Sequence, residues 1–221
     1  MLAKDLISDV IPVINTLETG IKALNWMEIF KVSHLPVTDN NDFLGLISDT
    51  DIYDLNKAEQ AIGAHPLSLI RPYVYADQHI YEVIDLISRL QLTVVPVLNK
   101  DKQYIGSITL HDLVNNFSTI TSASEPGGIL ILEMNIHDYS LSEISQITEG
   151  NDVKILSLYI SNHQNSTKID ITLKLNTSNL NGLIQSFERY NYTIKASFPE
   201  DEETELLYQE RFDSFMNYLD I

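Results

Sequence analysis

The chain has 221 residues, 44% of them hydrophobic, with 31 acidic against 14 basic side chains and a formal net charge of −17. That is enough apolar material for one large or two modest domains with real cores, so the chain reads as globular rather than disordered. The charge gives a field that repels nucleic acid and anionic lipid, and the lack of any cysteine removes disulfides, thiolate metal sites and a cysteine nucleophile.

The opening stretch, Met1-Leu-Ala-Lys-Asp-Leu-Ile-Ser-Asp9, shows no basic region followed by an apolar run, and no apolar run approaches the roughly 20 residues of a membrane span. The expectation is a cytoplasmic protein with neither a membrane nor a nucleic-acid partner, which also suits the absence of cysteine. A first segment, residues 1–60, places Pro12 before the extended Val13-Ile14, then Gly20, Ala23, Leu24 and Met27 at the spacing of an amphipathic helix. Val32-Ser-His-Leu-Pro36-Val37 reads as a strand, Asp39 to Asp42 as a turn, Phe43 to Ile47 as a second strand and Asp49 to Leu55 as a helix. Residues 61–121 repeat this order: Pro72 and Tyr73-Val74, a helix bearing Ile80, Val83, Ile84 and Ile87, the strand around Pro96-Val97, a turn at Asn99 to Lys102, the strand Tyr104 to Ile108 and a helix from Leu110 to Phe117. The offset is 60 at the prolines (96 − 36) and 61 at the glycines and aspartates (106 − 45, 112 − 51), so one residue has slipped within a short loop.

Each copy closes on Gly-x-x-Ser/Thr-x-x-Asp, as Gly45, Ser48 and Asp51 and again as Gly106, Thr109 and Asp112, where a strand gives way to a helix. The glycine admits close backbone approach, the hydroxyl sits where a helix needs a cap, and the aspartate one turn on can accept two hydrogen bonds from the vicinal hydroxyls of a ribose. The same residue types also suit a helix N-terminus capping itself, so ribose binding and capping stand as alternatives.

With (Leu/Val)-Pro-Val and the glycine-to-aspartate signature present in both halves, residues 1 to about 120 resemble a pair of CBS domains, a Bateman module. The resemblance implies two repeats packed through their sheets about a pseudo-twofold axis, leaving two clefts for adenosine compounds such as AMP, ADP, ATP or S-adenosylmethionine. These are regulatory ligands rather than a resident cofactor. Carried onto this chain, it puts Ser48 and Asp51, and Thr109 and Asp112, at the ribose, with adenine near Val13 in one cleft and Tyr73 in the other. In the first copy Asp49 and Asp51 lie close together with no lysine or arginine between Val32 and Ile52, so a phosphate there meets uncompensated charge. In the second copy His111 precedes Asp112 and Arg71 stands beside Pro72, and either can face a phosphate. That favours the cleft around Thr109 and Asp112 if only one is used.

After a linker at residues 122–128, strand Ile129 to Asn135, a helix from Leu141 opened by the capping box Ser140-Leu-Ser-Glu143, strands Val153 to Ile160 and Lys168 to Leu175, helix Leu180 to Tyr190 and strand Tyr192 to Phe198 spell βαββαβ. This ferredoxin-like stretch, residues 129–198, resembles an ACT-like domain. ACT domains often bind amino acids at the loop between the first strand and helix. Asp138 stands in that loop, but the family's Pro-Gly is absent, and a turn or cap role is the alternative. A CBS pair followed by an ACT-like domain is loosely similar to bacterial acetoin-utilisation regulators. Residues 199–221 read as an acidic C-terminal helix whose stripe of Leu207, Arg211, Phe215 and Leu219 covers its own domain or a second chain.

No phosphate-cradling loop, Gly-x-Ser-x-Gly or His-Glu-x-x-His occurs, the six histidines lack ligand spacing, and no nucleophile, base and orienting group stand together. His34 reads as a packed or edge histidine, and no metal is expected. The expected fold class is α+β. The expected protein is a non-catalytic sensor, a homodimer that binds an adenosine-type small molecule in its CBS pair and passes the state to the ACT-like domain and an unidentified regulated protein. A ligand-free dimerisation or interaction module is the alternative.

Overall fold

The computed structural model describes residues 1–8, 10–40, 42–64, 69–164 and 166–199. The acidic helix expected over Glu202 to Leu219 lies outside them, as do residues 65–68 at the start of the second repeat. The chain divides into two compact units, Met1–Asn116 and Phe117–Ile221. No helix among the described residues is long and apolar enough to cross a membrane.

The first unit carries the duplication. Strand β1 (Ile14–Asn15), helix α1 (Gly20–Phe30), strands β2 (His34–Asp39) and β3 (Asp42–Ser48) and helix α2 (Asp49–Leu55) are matched by β4 (Val74–Tyr75), α3 (Ile80–Leu90), β5 (Val94–Leu98), β6 (Tyr104–Thr109) and α4 (Leu110–Ile120). Each repeat makes a three-stranded sheet in which the short leading strand runs parallel to the next, and that one pairs antiparallel with the third. The register repeats too: Val37 faces Gly45 and Val97 faces Gly106, each followed at once by a bulge. Gly20, Ala23 and Met27 bury one stripe of α1, and Ile80, Val83 and Ile87 bury the same stripe of α3. Both helices end on a left-handed residue, Lys31 and Gln91, whose N–H donates back to Met27 and Ile87 respectively.

The segments that lead into each repeat cross to the other one. Ala3 and Leu6 bury in the second repeat's core, with Val83, Val95 and Ile108, and Ser8 N–H donates to the Ser107 carbonyl at 2.8 Å. Reciprocally, Leu69 packs on the first repeat's core and Leu46 N–H donates to the Ile70 carbonyl at 2.9 Å. The motif glycines make room for this crossing. A Cβ on Gly106 would stand 2.4 Å from Ile7 Cγ2, one on Gly45 would stand 2.5 Å from Leu69 Cβ, and both glycines have a φ of +153° that side chains disfavour. A second link joins the repeats: Ser33 N–H donates to Thr93 Oγ1 at 2.9 Å, and Thr93 Oγ1 lies 3.0 Å from His34 Nδ1.

The second unit is built from β7 (Ile129–Asn135), α5 (Leu141–Glu149), β8 (Ile155–Asn162), β9 (Lys168–Leu175), α6 (Asn181–Arg189) and β10 (Thr193–Phe198). Its sheet runs β10-β7-β9-β8 with every neighbouring pair antiparallel, the split arrangement that the βαββαβ order predicts. Alternate residues of the central strands, Leu130, Leu132, Ile171 and Leu173, bury against Ile144, Ile147 and Phe187 of the two helices. The serine half of the predicted capping box forms, with Ser140 Oγ accepting from Glu143 N–H at 3.4 Å.

Candidate functional site

Where β6 gives way to α4, the first unit opens a cleft of about 550 Å³, a size that suits a small-molecule ligand. Thr109, His111 and Asp112 of the second repeat form one side of it. Ser8 and Ile11 from the leading segment, with Phe30 and Lys31 from the end of α1, bring the first repeat to the other. Thr109 is buried. Its Oγ1 accepts from Asp112 N–H at 3.0 Å, which caps α4, and donates to Asp112 Oδ2 at 2.5 Å. The hydroxyl therefore fixes the carboxylate as well as the helix. Among the described residues no group bonds to Asp112 Oδ1, so the half-buried carboxylate keeps accepting capacity at the cleft.

The first copy of the motif makes the same two bonds and adds a third. Asp51 Oδ2 accepts both from Ser48 N–H at 2.8 Å and from Ser48 Oγ at 2.7 Å, while Ser48 Oγ accepts from Asp51 N–H at 3.0 Å. This is a reciprocal capping box on an exposed helix start. The remaining predicted residues divide between two places. Arg71 is exposed, and Tyr73 sets its ring edge-on to Phe43 at 6.4 Å and to Tyr75 at 5.3 Å. Because the segment that carries them pairs at Leu46, both stand with the first repeat's hairpin and neither lines the cleft at Asp112. Val13 is half-buried, and Ile11 two residues earlier is the one that lines the cleft. Lys31 was missed by sequence reasoning. It lies immediately before the Val32-to-Ile52 stretch that contains no cation, and nothing local marks it as facing a motif 80 residues downstream (111 − 31).

The CBS-domain family model matches residues 3–57 and 69–119. This part of the chain is a tandem pair of CBS domains. Among solved structures, it is similar to a CBS domain pair/ACT domain protein from Thermotoga maritima, at 21% identity over 54% of this chain and 98% of that one, with a TM-score of 0.48. Two others are CBSX2 in complex with AMP (21% identity, 54% and 97% coverage, TM-score 0.46) and the CBS domain pair of protein MJ0100 in complex with 5′-methylthioadenosine and S-adenosyl-L-methionine (22% identity, 54% and 97% coverage, TM-score 0.44).

Within the CBS pair, His34 serves the seam between repeats. Its Nδ1 lies 3.4 Å from Thr93 N–H and 3.0 Å from the Thr93 hydroxyl, an acceptor's role that the neutral ring fills. Burial pulls its pKa below the usual histidine value, against the pull of the Asp49 and Asp51 charges. At the cleft, His111 Nε2 lies 3.1 Å from Asn115 Nδ2, which holds the ring along α4.

In the second unit Asp138 ends a short 3-10 turn after β7, and its Oδ2 accepts from Asn135 Nδ2 at 3.2 Å. It borders a hollow of about 330 Å³ together with Glu133 and Glu143, and no cationic side chain lines that hollow among the described residues. The Tyr192 phenol beside it is pushed up to about 12 by burial and by the Glu143 carboxylate. The sheet also gathers Glu133, His163 and Asp170 within 4.8 Å of one another, a convergence invisible in the sequence. Lys168 pairs with Glu133 and Lys195 with Asp170, while His163 Nε2 stands 2.9 Å from Asp170 Oδ1. The lysines hold both carboxyls below their ordinary values. A divalent ion would have to displace both, so the cluster serves as an ion-pair network.

Proposed function

We propose that this protein is a non-catalytic sensor whose CBS pair binds an adenosine compound in the cleft between the first repeat's leading segment and the Thr109–Asp112 junction. One observation carries the proposal: Thr109 and Asp112 line a cleft, and there a half-buried aspartate held through one oxygen by the threonine hydroxyl keeps its other oxygen for a ligand, whereas Asp51, held by Ser48 in the same way, is exposed. A ribose diol supplies the two donors such a carboxylate accepts. The apolar side chains of Val10, Ile11 and Phe30 offer a flat ring its surface.

Because the cleft draws on both repeats, a ligand in it favours one arrangement of the pair over others, and that differential affinity is what a sensor transmits. The proposed receiver is the βαββαβ unit, an ACT-like domain, in a cytoplasmic homodimer that acts on a regulated protein. AMP, ADP, ATP and S-adenosylmethionine are the candidate ligands.

Thermal unfolding with each of these compounds tests the assignment. A ligand at a hundred times its Kd contributes about 2.7 kcal/mol, or a rise of several degrees in Tm. Asp112→Ala should abolish the rise, while Asp51→Ala, read as the same with-and-without-ligand difference, should keep it. No rise with any of the four compounds would overturn the proposal and favour the ligand-free interaction module.

A further inference from the structure

We infer that Lys31 reads a 5′-phosphate in this cleft, which makes the ligand a nucleoside monophosphate in preference to an uncharged adenosine compound. The inference rests on the adenosine assignment above and names the class of ligand. Lys31 is the one side chain of fixed positive charge among the described residues that line the cleft, and it enters from the repeat opposite Asp112. A nucleotide whose ribose meets Asp112 and whose phosphate meets Lys31 therefore ties the two repeats together.

The state of Lys31 fits that task. Its Nζ stands 2.7 Å from Glu28 Oε1, but the two side chains are 77% and 80% exposed, a surface pairing that holds little and yields readily to a phosphate. The residue is also placed by backbone rather than by packing, since it is the left-handed cap of α1 with φ of 54°. A monophosphate carries about 1.5 to 2 negative charges near neutrality, and Lys31 meets that charge at contact. The additional phosphates of a di- or triphosphate find no further lysine or arginine among the described residues that line the cleft. The net charge of −17 does not forbid the anion, because charges spread over the surface are screened beyond about 8 Å in physiological salt while Lys31 acts at contact.

The second repeat supplies an internal control. Gln91 occupies the matching position, with φ of 52° and the same N–H bond back into its helix. Lys31→Gln therefore installs a residue that this backbone position already accepts, and it removes the charge without disturbing the cap.

Isothermal titration of the full chain and of Lys31→Gln with AMP and with adenosine, at low and high salt, decides the matter. The expected result is that the unaltered protein binds AMP about tenfold more tightly than adenosine, a difference of about 1.4 kcal/mol, and that salt erodes this margin. Lys31→Gln should bring AMP to the affinity of adenosine and leave adenosine unchanged. Equal binding of AMP and adenosine by the unaltered chain, or equal losses for both in Lys31→Gln, would overturn the phosphate inference and leave the adenosine assignment standing. Binding of neither compound by the unaltered chain would overturn both.

Discussion

The two motif glycines show how one residue can answer to packing and to a binding site at once. The close backbone approach that Gly106 admits is used by Ile7 of the crossing segment, whose Cγ2 would lie 2.4 Å from a Cβ at that position. Gly106→Ala combines overpacking with a backbone conformation that alanine disfavours, so a loss of about 2–4 kcal/mol is expected in urea unfolding. Ile7→Ala should recover part of that loss in the double variant, and a full loss in its presence would show that the backbone angle alone is responsible. His34 gives a second prediction. Its folded pKa is depressed, so the unfolded chain takes up protons first on acidification. The stability held by the neutral ring is complete above about 6.5 and is lost as the pH falls toward the lowered folded value. Tm should therefore drop between neutral pH and about 5.5 more steeply in the unaltered protein than in His34→Asn, which keeps an acceptor but cannot titrate.

At the level of elements, the helices were legible because their signals are local. The stripes through Ala23 and Val83 and the Ser140 cap all formed within a few residues of the letters that announced them. The two copies of Gly-x-x-Ser/Thr-x-x-Asp start their helices with the same hydroxyl–carboxylate pair, but Ser48 and Asp51 add a backbone N–H bond on an exposed helix start, while Thr109 is buried and Asp112 half-buried at the cleft. Ser48→Ala should cost about 1 kcal/mol of stability, as a lost N-cap does, and leave the response to AMP intact. Thr109→Ala should cost a similar amount and weaken that response as well. Calorimetric unfolding with and without AMP separates the two, and identical ligand responses in the two variants would remove the distinction between the copies.

For the whole molecule, the exchange of leading segments decides what faces what. Leu6 is 2% exposed and sits in the second repeat's core with Ile108, while Leu35 belongs to the first repeat's core. Leu6→Ala should cost about 2–5 kcal/mol. In double-mutant cycles it should couple to Ile108→Ala and add independently to Leu35→Ala. Coupling to Leu35 instead would mean that the segment stays with its own hairpin.

The letters alone determined the duplication, the α+β class, the βαββαβ order of residues 129–198 and the capping of α4 by Thr109, because periodicity, capping and side-chain type act over short stretches of chain. The tertiary structure decided which repeat each leading segment joins, and with it the removal of Arg71 and Tyr73 from the cleft at Asp112 and the entry of Ile11 and Lys31. It also brought Glu133, His163 and Asp170 together from distant positions. Strand pairing between segments some 100 residues apart, such as Ser8 with Ser107 (107 − 8), is settled by packing across the whole unit. Backbone hydrogen bonds carry no side-chain code, so two symmetric repeats present the same pairing edge to either segment.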